Sequence, residues 1–127
     1  MPNIGLPTRV VIADDERIIA DTLAMILNTQ GFYAVPAYSG EKAVELARTL
    51  KPDVLISDLL MGDLSGVDAA LEILEMLPAC RVLFITAQTT MPDTELFRVQ
   101  GRDFEVLQKP FRPEDLLRQL EEIAQTA

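Results

Sequence analysis

Three aspartates, a threonine and a lysine are the residues of this chain whose types and settings suit chemistry. Val54-Leu55-Ile56-Ser57 is a run that favours burial, and it leads straight into the carboxylate of Asp58. The loop-like segment Leu59-Leu60-Met61-Gly62-Asp63-Leu64-Ser65-Gly66 follows. The pattern recurs along the chain. Arg9-Val10-Val11-Ile12-Ala13 ends at Asp14-Asp15-Glu16, Arg81-Val82-Leu83-Phe84-Ile85 ends at Thr86-Ala87, and Phe104-Glu105-Val106-Leu107-Gln108 ends at Lys109-Pro110-Phe111. If these strands lie parallel, their ends share one rim, where ligands of open α/β sheets bind.

Asp14, Asp15 and Asp58 gathered on one rim would repel one another, and with one lysine nearby and no histidine in the chain the natural neutraliser is a hard divalent cation with oxygen ligands. Mg²⁺ is the first choice and Mn²⁺ the alternative. Such a site screens the approach of an anionic phosphoryl donor. Asp58 can then act as a nucleophile and become an aspartyl phosphate, with the Thr86 hydroxyl and the Lys109 ammonium as donors to the phosphoryl oxygens. Each residue alone has a plainer reading. Asp14-Asp15 suits the start of a helix, Thr86 a satisfied loop hydroxyl and Lys109-Pro110 a turn. Their common placement at strand ends favours chemistry.

The elements that must position them follow from periodicity. Ile19, Leu23, Ile26 and Leu27 recur at helical spacing between Glu16 and Gln30, and Gly31 stops that helix. Tyr33-Ala34-Val35-Pro36-Ala37 reads as a strand, placed at a sheet edge because Pro36 lacks the N–H that a central ladder needs. Ser39 caps a helix whose stripe is Ala43, Leu46, Ala47 and Leu50, and Lys51-Pro52 closes it. Val67, Ala70, Leu71 and Leu74 define a third helix that Pro78 stops. Thr90-Met91-Pro92-Asp93 has the form of a helix start, predicting a short fourth helix that meets Gly101. The strand Phe104–Gln108 alternates as an edge strand would. Pro113 opens a last helix with Leu116, Leu117, Leu120 and Ile123 inward. Five strands alternating with five helices predict a doubly wound α/β fold with a parallel sheet covered on both faces.

At 127 residues the chain suits one domain, residues 1–127 with a core of about 8–126, and leaves no room for a second, output domain. Twenty acidic against eleven basic residues give a net charge of −9, which opposes broad contact with nucleic acid. The missing histidine excludes Ser-His-Asp, Cys-His and His-ligated zinc chemistry. No apolar run is long enough to span a bilayer, nothing marks the N-terminus for export, and the single Cys80 cannot form an internal disulfide, so a cytoplasmic location is expected.

Asp14-Asp15, Asp58 followed by Met61 and Gly66, Thr86-Ala87 and Lys109-Pro110-Phe111, in this order and each at a predicted strand end, resemble the receiver domain of two-component response regulators. The resemblance covers essentially the whole chain. It implies a CheY-like, flavodoxin-like (βα)5 sandwich with strand order 2-1-3-4-5 and Asp58 as phosphoacceptor. It further implies that Asp15, Asp58 and the Leu60 backbone carbonyl hold Mg²⁺ directly, with Asp14 acting through water, and that Thr86 and Lys109 contact the phosphoryl group. The implied donor is a phosphohistidine on a sensor histidine kinase or phosphotransfer protein. The implied output is a protein target or fused output domain, with homodimerisation through the face of the fourth helix, fifth strand and fifth helix. The chain departs from the family pattern where Gly62 replaces a proline, where Val106 replaces a switch aromatic, and where Leu60 is apolar. A phosphorylation-independent interaction module on the same fold is the alternative. On the first reading the domain is an enzyme only in catalysing its own phosphorylation and dephosphorylation.

Overall fold

The computed structural model describes residues 6–61, 65–87, 96–99 and 101–125. In chain order the elements are β1 (Arg9–Ala13), α1 (Arg17–Thr29), β2 (Tyr33–Ala37), α2 (Gly40–Leu50), β3 (Val54–Asp58), α3 (Gly66–Met76), β4 (Arg81–Thr86), β5 (Leu96–Val99), β6 (Arg102–Gln108) and α4 (Pro113–Gln125). The sheet order is β2-β1-β3-β4-β6-β5. Its first five strands are parallel, in the 2-1-3-4-5 order with β6 in fifth place, and β5 pairs antiparallel to β6.

The inner strands are apolar on both faces because both faces are covered. Val10, Ile12, Val54, Ile56, Leu83 and Ile85 pack with Leu23 and Leu27 of α1 and Leu116 and Leu120 of α4. Their neighbours Val11, Leu55 and Phe84 turn to the other side, onto Ala43 and Ala47 of α2 and Ala70 and Ile73 of α3. This alternation is the two-residue period of a strand, with a helix layer waiting on each side. Each fully buried leucine or isoleucine contributes about 1.5–3 kcal/mol. The expected cap is there, with the Ser39 hydroxyl accepting from the Lys42 N–H at 3.0 Å, and Ser65 caps α3 in the same way, its hydroxyl accepting from the Asp68 N–H at 3.1 Å. Pro36 lies on the outermost parallel strand, where its missing N–H costs nothing.

One expectation is overturned. The fourth helix was to run from Thr90 to Gly101. Residues 88–95 lie outside the described residues, and Leu96–Val99 is a strand instead, turned back onto β6 through Gly101 at φ +77°. Leu96-Phe97-Arg98-Val99 carries aromatic and β-branched residues without a helical stripe, and a glycine at positive φ suits a hairpin turn. As a consequence β6 is not the edge. It begins at Arg102, and β5 covers it, with Phe97 opposite Phe104 in the register. The proposed fourth-helix surface of the sequence reading falls largely on residues outside the described ones.

Candidate functional site

Parallel register brings the polar strand ends together. Ala13 stands opposite Ser57, so Asp14 and Asp58 leave neighbouring strands side by side. Asp58 stands opposite Ile85, which puts Thr86 one residue beyond on the next strand, and Thr86 is opposite Gln108, just before Lys109. The Lys109 N–H donates to the Thr86 carbonyl at 2.7 Å and the Leu59 N–H to the Ile85 carbonyl at 3.1 Å, tying the loops that leave β6 and β3 to β4. The Lys109-Pro110 peptide is cis.

Lys109 is the hub. Its ammonium lies 3.0 Å from Asp14 Oδ2, 3.1 Å from Asp58 Oδ2 and 3.9 Å from Glu16 Oε1. Asp14 is fully buried, Asp58 nearly so, and Thr86 is buried as well. The other oxygen of Asp58 accepts from the Leu60 N–H at 3.2 Å, and the other oxygen of Asp14 accepts from the Glu16 N–H at 2.9 Å. Both carboxylates are therefore held in place by a backbone amide on one side and the lysine on the other. Burial raises the Asp14 carboxyl above the ordinary aspartate value, and this outweighs the lowering pull of the Glu16 amide and Lys109. Burial lowers the Lys109 ammonium, but hydrogen bonds and attraction to Asp14 and Asp58 leave it above its ordinary value.

Close approach behind Asp58 depends on one residue. A Cβ on Gly66 would lie 1.8 Å from the Asp58 carbonyl oxygen and 2.9 Å from Ser57 Oγ, so α3 can start directly beneath Asp58 only with glycine there. The Gly66 N–H donates to the Leu59 carbonyl at 3.1 Å, and the buried Ser57 hydroxyl donates to the Asp58 carbonyl at 3.0 Å.

The structure thus brings Asp14, Asp58, Thr86 and Lys109 to one rim. Asp15 is on the same loop with an exposed side chain, and the Leu60 side chain, 60% exposed, stands beside the site. Gly62 is outside the described residues. Val106 is buried against the core cluster that holds Phe84 and Phe104. Glu16 was missed by sequence reasoning. Its ligand oxygen lies within 4.8 Å of those of Asp14 and Asp58, whereas in sequence it looks like any acidic residue at a helix start. A trio of carboxylate oxygens at that spacing is an oxygen donor set suited to Mg²⁺ or another hard divalent cation.

The family model for the response regulator receiver domain matches residues 10–121. The chain belongs to that family. It is 31% identical over 116 residues to the probable transcriptional regulatory protein TcrX of Mycobacterium tuberculosis, covering 91% of this chain and 49% of that protein. It is 36% identical over 107 residues to the transcriptional regulatory protein CreB of Escherichia coli, covering 84% of this chain and 46% of that one. The receiver thus spans about half the length of these curated relatives. Among solved structures it resembles the chemotaxis protein CheY4 of Vibrio cholerae, with a TM-score of 0.80 and 25% identity over 92% of this chain and 98% of that one. Receiver domains as a class bind Mg²⁺ and work with histidine kinases and output domains, and the acidic rim of this one has the donor chemistry for such an ion.

Proposed function

We propose that this receiver accepts a phosphoryl group on Asp58 from a sensor histidine kinase or phosphotransfer protein, in a Mg²⁺-dependent reaction, and so switches a protein-interaction surface. The observation that carries the proposal is Asp58 itself. It is a nearly buried carboxylate on the end of an inner strand, with one oxygen on the Leu60 amide and the other 3.1 Å from Lys109.

Asp14, Asp15, Asp58 and the Leu60 carbonyl would hold the cation. When bound, Mg²⁺ supplies positive charge that lets an anionic phosphoryl group approach a rim of carboxylates. The chain's own residues do the rest. An Asp58 carboxylate oxygen attacks phosphorus, a P–O bond forms as the P–N bond to the donor imidazole breaks, and the imidazole leaves with the bonding pair. Lys109 is within reach of the reacting oxygen and can follow the charge from the carboxylate onto a phosphoryl oxygen. The Thr86 hydroxyl, fixed at the end of β4, can donate to another. Restraint by the strand and by the Leu60 amide aligns the nucleophile before the donor arrives.

Intact-mass measurement after incubation with acetyl phosphate and Mg²⁺ tests the proposal. The expected result is one phosphoryl group gained by the native chain, none by Asp58→Asn and none when the divalent ion is chelated. A native chain that gains no mass from acetyl phosphate or from a phosphorylated kinase would instead favour an interaction module that works without phosphorylation.

A further inference from the structure

Glu16 is the functional-site neighbour that the family reading leaves without a task. Its backbone is fully engaged: its N–H donates to Asp14 at 2.9 Å, and its carbonyl accepts from the Ile19 and Ala20 N–H groups at 3.0 and 3.1 Å. It occupies the N-cap position of α1, yet its side chain makes no capping hydrogen bond. The carboxylate is turned instead toward Lys109, 3.9 Å away, and joins Asp14 and Asp58 in the set of oxygens within 4.8 Å.

We infer that Glu16 is an additional cation-binding residue of this receiver, adding its charge to Asp14, Asp15 and Asp58 and setting how tightly the divalent ion is held. The inference rests on the proposed Mg²⁺-dependent reading and deepens it. The charges are consistent with it. Asp14, Glu16 and Asp58 carry three negative charges against the one positive charge of Lys109, leaving an excess that a divalent cation matches. Without Glu16, Asp14, Asp58 and Lys109 leave a single negative charge, to which the exposed Asp15 on the same loop adds one more. The Glu16 carboxylate is 67% exposed, so water screens its pull, and its effect is on affinity and not on folding. It also gives Lys109 a second carboxylate neighbour besides Asp14 that is not the reacting Asp58.

The test is a titration of the native receiver and of Glu16→Gln with Mg²⁺, and with Mn²⁺ followed by electron paramagnetic resonance. Glu121→Gln, on the exposed face of α4, controls for the loss of one charge anywhere. Glu16→Gln should weaken both ions about tenfold, the water-screened pull of one charge on a dication at this range, and leave the ion-free melting temperature nearly unchanged. Glu16→Asp should recover part of the affinity, and Glu121→Gln should bind as the native chain does. Equal ion affinity in Glu16→Gln and the native chain overturns the inference while leaving the Mg²⁺ reading intact. A native chain that binds neither ion overturns both.

Discussion

At the scale of single residues, the site is a compromise between burial and charge. Asp14 sits in a fully buried position and its carboxyl is raised above its ordinary value by that burial, so its ionised form is less favourable in the fold than in the unfolded chain. The sign follows: a raised carboxyl contributes stability that is present below its unfolded value near 3.8 and is lost as pH rises through the folded value. At neutral pH the ionised Asp14 is therefore a cost to the fold. Asp14→Asn should raise the melting temperature of the ion-free protein by roughly 3–6 °C and weaken Mg²⁺ binding, as paired calorimetric scans with and without the ion will read. A lower melting temperature without the ion would contradict this account of Asp14. Cys80 gives the opposite pH limb. Burial pushes its thiol up to about 12, so its contribution is present below its unfolded value near 9 and is lost as pH rises from there toward 12. Lys109, also raised, adds to the same alkaline loss above its unfolded value of 10.5. Urea midpoints should therefore fall between pH 9 and 12, and a thiol reagent at neutral pH should find Cys80 unreactive until the chain unfolds.

At the scale of elements, what was legible in the sequence is what local periodicity and caps dictate. The doubly apolar runs of β1, β3 and β4 could only be inner strands, Pro36 could only be at an edge, and Asp58 had to emerge at the end of β3. The segment before Gly101 was not legible, because Thr90-Met91-Pro92-Asp93 imitates a helix start while Leu96–Val99 pairs with a strand that comes later in the chain. A local signal competes there with a partner that only the tertiary fold supplies. Glu16 was illegible for a related reason: its side-chain direction depends on Lys109, more than ninety residues away. Gly66 could be seen as a loop glycine, but its closeness to the Asp58 carbonyl could not. Gly66→Ala must push α3 away from β3 and should cost roughly 2–4 kcal/mol in chemical denaturation, with slower phosphorylation of the fraction that folds. A variant as stable as the native chain would show that the α3 start is looser than this contact implies.

At the scale of the whole molecule, the receiver is a sheet covered on both faces, and the proposed function requires its polar rim to communicate with a protein surface. Phe84 and Phe104 meet edge to face, with centroids 5.3 Å apart, and Val106 is buried in the same cluster opposite Phe84 in the strand register. Val106 has no ring to move and a stiff χ1, and Phe104 lies two residues back from it, away from Thr86. Thr86 should therefore pass its movement to the backbone that follows β4, and the aromatic relay of the family pattern should be absent. Adding beryllofluoride and Mg²⁺ should shift amide resonances strongly around Asp58 and residues 86–91 and weakly from Phe104 to Leu107. Equal shifts in both regions would reveal another relay. The net charge of −9 opposes broad contact with nucleic acid phosphates by this domain. All of this depends on Asp58 being the residue that carries the phosphoryl group. Borohydride reduction of the acetyl phosphate-treated protein, followed by peptide mass mapping, converts an aspartyl phosphate into homoserine and names the residue. The account predicts homoserine at position 58 alone; homoserine at position 14 or 15, or at none, would contradict it.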